Sequence, residues 1–253
     1  MYAVERRQQI VDRARRDGRV AVTELSESLD VAPETIRRDL FVLEQQGLVN
    51  RVHGGALPAD RIGFEGTVTT RRDRHPEEKL RIVRRAVAEV ADAEVVFFDE
   101  GSTVTLLAEV LDPDRPLTAV TPSLSAAIAL ASRPQVSVIL LGGQVRPLSL
   151  ASAGTWPTRM LAEMVVDVAF LGANGITQEH GLTCPDIAVA AVKRAAVAAS
   201  RRRVVLADGS KFGTDAFASF ARLQEIDLII TGASAPRSAL DALRGSKVQV
   251  VRA

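Results

Sequence analysis

At 253 residues the chain is long for one small domain, and two domains suit the length better. Its 47% hydrophobic and 25% charged residues fit a globular protein with a substantial core, which at 4% aromatics must be aliphatic. A net charge of +1 leaves any basic footprint to placement, the single cysteine excludes an intrachain disulfide, and no apolar run approaches the roughly 18 residues of a membrane span.

The N-terminus turns polar at Glu5-Arg6-Arg7 and has no apolar signal core, so a cytoplasmic location with no membrane partner is expected. Val4, Ile10, Val11 and Ala14 give a first helix over about 4–17, ended by Gly18. Val20-Ala21-Val22 reads as a short extended piece. Thr23 is suited to cap a second helix through Leu29, with Leu25 and Leu29 inward. After the turn Asp30-Val31-Ala32, Pro33 suits the first position of a third helix, where its missing N–H is no loss. Ile36, Leu40 and Leu43 form that helix's buried stripe, and Gly47 stops it. A short basic hairpin follows, Arg51-Val52-His53-Gly54-Gly55-Ala56.

Helix, helix with paired arginines, glycine turn and basic hairpin make a winged helix-turn-helix, so the expected partner is double-stranded operator DNA. Arg37 and Arg38 can contact guanine bidentately or clamp phosphate, and Thr35 suits a phosphate or a thymine methyl. Thr23 joins them, and Arg51, His53 and Gly54 would serve from the wing. The competing reading, a solvated Arg-Arg-Asp face, does not explain the wing in register behind it. Residues 1–57 hold nine Arg and nine Asp or Glu, so this domain has no net charge.

The strings TIRRDL (35–40) and GLVNRVHGGA (47–56) resemble the N-terminal domain of the DeoR family of bacterial transcriptional repressors. Ala32 stands where that family often has a capping Ser or Thr.

Residues 58–76, with Pro58, Gly63, Gly66 and Pro76, read as a linker. From 77 to 253 helical segments alternate with β-branched runs at 95–98, 117–120, 136–141, 168–171, 204–206, 228–230 and 248–251. The fold class is α/β: the winged helix-turn-helix, then a mainly parallel, Rossmann-like sensor domain. Ligands on such sheets bind at the carboxyl ends of the strands. Four of those ends are rich in hydroxyls, glycines and cations: Asp99 with Gly101, Ser102 and Thr103; Thr121 with Ser123; Gly142 and Gly143 with Arg146; and Asp208-Gly209-Ser210 with Lys211. Together they suit a phosphorylated polyol.

FFDEGST (97–103), AVTPSLSAA (119–127), LLGGQVR (140–146), DVAFLGANGI (167–176), GLTCPD (181–186), AVKRA (191–195) and VVLADGSKFG (204–213) resemble that family's C-terminal sensor domain, in order. The resemblance implies a fold like ribose-5-phosphate isomerase and a sugar-phosphate effector. It places Gly101, Ser102, Thr103 and Lys211 at the phosphate, and Asp99, Arg146, Asn174 and Lys193 near the polyol. Pro122 and Val189 depart from the family's usual Asn and Glu. The opening MYAVERRQQ and the Arg- and Ala-rich composition resemble the family's fructose-operon repressors, making fructose 1-phosphate the first effector to try.

An isomerase is the alternative, but Gly172-Ala173-Asn174-Gly175-Ile176 holds no carboxylate to move a proton between carbons, so no catalytic residue is assigned. His53, His75 and His180 lack ligand spacing, and neither a metal nor a cofactor is expected. Cys184 reads as a packed thiol, Trp156 and Met160 as core or subunit contacts, and Arg201-Arg202-Arg203 as a solvated helix end. A homo-oligomer, dimer or tetramer, is expected, because one winged helix makes few base contacts.

Overall fold

Apolar residues three and four apart build the first unit. In the computed structural model, which describes residues 2–45, 48–52, 54–58 and 67–253, helix α1 runs over Ala3–Asp17. Strand β1 (Val20–Ala21), helix α2 (Val22–Leu29), helix α3 (Pro33–Gln45) and strands β2 (Val49–Val52) and β3 (Gly55–Pro58) follow. Ile10, Val11 and Ala14 of α1, Leu25 and Leu29 of α2, and Ile36, Leu40 and Leu43 of α3 close one core with Val49 and Ala56. The three strands pair antiparallel in the order β1-β3-β2. Gly55 lies so close to the carbonyl of Val20 that no side chain fits there. The helix stop assigned to Gly47 lies outside the described residues.

Thr23 is not a cap. Helix α2 begins at Val22 with Ala21 at its N-cap, two residues ahead of Thr23, and no side chain caps it. Its first N–H, that of Val22, donates instead to the carbonyl of Gly54 at 2.8 Å. The hairpin's tip thus does the work a hydroxyl was expected to do.

The chain divides into two compact units between Gly66 and Thr67. The connector read as 58–76 is therefore too long at both ends: Pro58 closes β3, and 67–75 already belong to the second unit. Helix α4 (Val68–Arg72) is capped by Thr67 and held by its N–H at Val68, which donates to Leu148 at 2.7 Å. Arg72 makes a two-pronged pair with Glu109 at 2.6 and 2.8 Å. Arginines that looked like linker composition are anchors.

Helix α5 (Pro76–Val87) leads into strand β4 (Val95–Phe98), helix α6 (Ser102–Val110), strand β5 (Leu117–Thr121), helix α7 (Leu124–Ala131) and strand β6 (Val136–Leu140). A hairpin, β7 (Gln144–Arg146) and β8 (Ala151–Ala153), precedes helix α8 (Thr155–Ala162) and strand β9 (Val166–Gly172). Then come β10 (Gly175–Thr177), β11 (Gly181–Cys184), helix α9 (Ile187–Ala199), β12 (Ser200–Ala207), β13 (Ala218–Ala221), β14 (Leu228–Thr231), helix α10 (Arg237–Ala242) and β15 (Gln249–Arg252).

The seven β-branched runs form one parallel sheet, ordered β15-β14-β12-β9-β4-β5-β6. One apolar cluster packs α5, α6 and α7 on one face, and another packs α8 and α9 on the other. Phe97 and Phe98 show the alternation, each entering a different cluster. β10, β11 and β13 form a separate antiparallel sheet that the sequence reading lacks. The Arg201-Arg202-Arg203 run is likewise corrected: it opens β12 rather than ending a helix. Arg202 bonds Glu89 at 2.6 Å and Arg203 pairs with Asp227 at 2.9 Å. Among the described residues no helix is long and apolar enough to cross a membrane.

Candidate functional site

In the first unit α3 offers its first two turns to solvent. Arg37 and Arg38 are exposed and Thr35 is half-buried. Arg37 pairs with Glu34, whereas among the described residues no acid pairs with Arg38. Arg51 of β2 leans back on α3: its guanidinium lies 5.8 Å from the Phe41 ring centre and 3.8 Å from Glu44. Thr23 is exposed one residue beyond the Val22–Gly54 bond, so the wing turn and the start of α2 are joined. Gly54 has φ +78°, which glycine adopts freely. His53 lies outside the described residues.

Asp39 lies in the charged Arg-Arg-Asp run of the sequence, yet it is 2% exposed. Its two carboxylate oxygens accept from Arg6 Nε at 2.6 Å and Arg7 Nε at 2.7 Å, fixing α3 on α1. The signal was present: Asp39 follows Ile36 by three residues and precedes Leu43 by four, so it borders the buried stripe.

In the second unit parallel strands put every carboxyl end at one edge of the sheet. Chain order runs outward from β4 through β5 to β6, then returns to β9 on the other side of β4. The β4–β9 crevice is therefore the topological switch point, where ligands of open α/β sheets bind. Asp99 bridges it, accepting the Gly172 N–H at 2.9 Å while donating its own N–H to Phe170 at 3.0 Å.

Lys193, 1% exposed, comes from α9 into this crevice. Its ammonium bonds Asp99 and the Gly172 carbonyl (3.0 Å), lies 3.7 Å from Glu100, and sits 5.3 Å from the Phe220 ring centre. Burial opposes its charge, but Asp99 and Glu100 together outweigh burial and raise its pKa. Burial raises the Asp99 carboxyl in spite of Lys193. Burial also acts on Glu100, but Arg71, 3.3 Å away, then Lys193 and more weakly Arg146, hold it below the usual carboxylate range. Among the described residues Asp99 Oδ1 is buried with no bond partner, an acceptor aimed at nothing in the chain.

Helix α6 opens beside this cluster. Gly101, at φ +119°, stands at its N-cap without any side-chain cap. The first intrahelical bond runs from Thr105 N to the Gly101 carbonyl, so the N–H groups of Ser102, Thr103 and Val104 have no intrahelical acceptor. Lys79 of α5, missed in the sequence, donates to Ser102 Oγ at 3.2 Å and to the Arg71 carbonyl. Burial lowers its pKa to about 8, helped by Lys211, Arg71 and Arg74 against the pull of Asp208. Keeping that ammonium charged therefore costs stability below about pH 8, and the cost declines as pH rises from there toward its ordinary value. Its place was legible: Lys79, Ile82, Val83 and Ala86 share one buried helix face. Lys211, half-buried after β12, is near enough to Lys79 and Asp208 for its charge to act on both.

The remaining candidates divide. Arg146 pairs with Asp186 at 3.3 Å and acts on Glu100, which places it by the crevice. Asn174 is half-buried at the β9 end, its N–H held by Thr183. Thr121 and Ser123 are wholly buried and internally engaged: Thr121 accepts the Ser123 N–H at 3.0 Å, and Ser123 caps α7 through Ala126 N. Gly142 and Gly143 are exposed ahead of β7, and Gly143 faces Pro157. Cys184 is buried, its thiol pushed up to about 11 by desolvation, which makes it a poor nucleophile. An open depression of about 630 Å³ lies elsewhere, between α10 and β15, away from this chemistry.

Residues 6–61 match the DeoR-like helix-turn-helix domain and residues 74–233 the DeoR C-terminal sensor domain. The chain is 37% identical to the HTH-type transcriptional regulator GlpR of Haloferax volcanii, over 99% of this chain and 98% of that one. It is 32% identical to a regulator named FruR of Bacillus subtilis, over 92% of each. It is 30% identical to the glycerol-3-phosphate regulon repressor of Escherichia coli, over 99% of each. A ribose 5-phosphate isomerase A of Methanocaldococcus jannaschii is similar over 54% of each chain, at 22% identity and a TM-score of 0.40, too slight a likeness to carry an argument. The two matched domains and the full-length relatives agree: this chain belongs to the DeoR family and is a DNA-binding transcriptional regulator, not an enzyme.

Proposed function

We propose that the chain is a cytoplasmic repressor of a sugar-catabolism operon whose hold on its operator is modulated by a phosphorylated sugar. The observation that carries this is the uncapped N-terminus of α6, opening at the switch point beside Lys79 and next to an unbonded buried carboxylate oxygen of Asp99. The helix end and cations suit an anion, and the carboxylate suits a hydroxyl. Fructose 1-phosphate is the first ligand to test. The relative named a glycerol-3-phosphate regulon repressor makes glycerol 3-phosphate the comparison ligand.

Effector and operator are read at separate sites, so the response is a coupling free energy between them. A homo-oligomer, dimer or tetramer, fits paired half-sites, and the exposed Trp156 and Phe217 supply apolar surface for it. A thermal-shift screen of sugar phosphates tests the reading: at about 100 times its Kd the effector should add roughly 2.7 kcal/mol. No stabilisation by any sugar phosphate would reject it.

DNA reading has its own test. Arg38→Ala should weaken operator binding by about 1–3 kcal/mol with a smaller effect on random DNA. Equal loss on both would make Arg38 a phosphate contact, and no loss would remove α3 as the reading helix.

A further inference from the structure

We propose that β6 is the sensor's pairing edge. It joins the β6 of a second copy antiparallel, about a two-fold axis at Ile139, and makes one continuous sheet of the two. This gives a surface to the homo-oligomer proposed above and rests on that reading.

The seven-stranded sheet has two outer strands, β15 and β6. Backbone bonds fix what each one presents. Leu117 donates to the Gln135 carbonyl at 2.9 Å, and Leu141 to the Thr121 carbonyl at 2.8 Å. Leu117 is level with Val136 and Thr121 with Leu140, so Ser137 and Ile139 turn their backbone groups to β5. Val138 and Leu140 turn theirs outward, and among the described residues no strand meets them. On β15, Gln249 donates to Asp227 and Ala253 to Thr231, which puts Val250 and Arg252 outward. A charge therefore guards that edge against pairing. β6 reads Val-Ser-Val-Ile-Leu and has neither charge nor proline.

The surroundings of β6 are equally poor in charge. No Asp or Glu occurs between Asp114 and Glu163. Helix α7, which packs against β6, has no charged residue. Arg133 is turned back to the Glu109 carbonyl at 2.7 Å, and Arg146 to Asp186 at 3.3 Å. Large apolar side chains nonetheless stand in solvent: Ile128 of α7 is 75% exposed, Leu140 42% and Ile139 37%. Val136 and Val138 join the cluster of α5, α6 and α7, so by alternation Leu140 lies on that face and Ile139 on the other.

The occupant is a second copy because this edge complements itself. With the axis at Ile139, Val138 of each copy lies opposite Leu140 of the other. Every outward N–H and C=O of these two residues then has a partner. An axis at Val138 would need the Val136 N–H, which already donates to Arg133 at 3.1 Å. Ile139 meets its own counterpart in the close position between hydrogen-bonded pairs, apolar against apolar. No like charges are brought together, whereas a charged partner would set its charges unpaired against an apolar edge. The strand and its flanks offer on the order of 800 Å² per copy, the share of a standard interface.

The experiment is the mass of the full chain by sedimentation over a range of concentrations, with covalent trapping at the axis. Oxidised I139C should give a disulfide-linked dimer, because residues facing in this way lie about 4.5 Å apart at Cα, within disulfide reach. S137C, on the same face but two residues off the axis, should not. The natural Cys184 is buried and adds no background. I139K and I139E should each halve the wild-type mass by setting like charges opposite each other, and mixing the two should restore it. I139C, the mildest change, decides the matter if the charged variants do not fold. Undiminished mass in I139K and I139E with no I139C dimer would place the interface elsewhere and leave the oligomer reading intact. S137C linking as readily as I139C would remove the axis from Ile139. A wild type that stays monomeric at every concentration would overturn the pairing and the oligomer reading together.

Discussion

Asp39→Ala should lower the stability of the N-terminal unit by roughly 2–3 kcal/mol. That is below the ~3–5 kcal/mol typical of halving a buried pair, because Arg6 and Arg7 can turn toward water. The carboxylate is the shared acceptor of two arginines, and its loss leaves both without the bonds that seat α1 on α3. Operator binding should fall with it, since Arg38 is the residue before Asp39. Asp39→Asn separates charge from shape: it keeps a carbonyl acceptor for one arginine and should recover part of the loss. Thermal unfolding of residues 1–66 followed by circular dichroism reads this directly, with Arg38→Ala as the control that loses DNA without losing stability. An unchanged melting temperature would mean that the pair contributes no net stability.

Lys211→Ala and Ser102→Glu should each give a regulator that binds operator normally and ignores its effector. Lys211 acts on the charge of Lys79, which bonds Ser102, and losing its charge should cost roughly 1.5–3 kcal/mol of effector affinity, the range of a hydrogen bond to a charged group. Ser102→Glu places a carboxylate at the mouth of α6 and beside Lys79, filling the anion's place with a side chain. Both residues lie in the second unit, so operator affinity without effector should stay close to wild type. The measurement is operator binding against sugar-phosphate concentration. If both variants respond at wild-type concentrations, the phosphate lies elsewhere. If both lose operator binding outright, the sensor is needed for assembly and a two-site scheme is too simple.

Periodicity made most of this fold legible. The seven β-branched runs became the seven strands of one sheet, because a strand covered on both faces must be apolar along its whole length. The small antiparallel sheet escaped, since Gly175–Thr177 and Gly181–Cys184 are too short and too glycine- and threonine-rich to show alternation. Thr23 misled because a hydroxyl near a helix start is only a local signal, and Gly54, thirty-one residues on, won that position by tertiary contact. At the candidate site, motif strings pointed to the strand ends. They overlooked Lys79, Arg71 and Glu100, whose roles depend on elements that meet only after folding. Thr121 and Ser123 show the opposite failing: hydroxyls that look available in a sequence can be consumed in building a turn.

The charge balance of the first unit has a consequence for how the regulator finds its operator. Nine arginines face nine acids over residues 1–57, and several pairs are closed internally: Arg6 and Arg7 on Asp39, Arg16 on Asp17, Arg37 on Glu34 and Arg51 near Glu44. Each phosphate neutralised by a protein releases counterions and adds about −0.9 to the slope of log K against log salt. A unit that keeps so many cations occupied should touch few phosphates and show a shallow slope. Its grip on random DNA is then weak at physiological salt, and little of the regulator is lost to the rest of the genome. Occupancy of the operator rests on a few base contacts and on how many copies of the reading head arrive together.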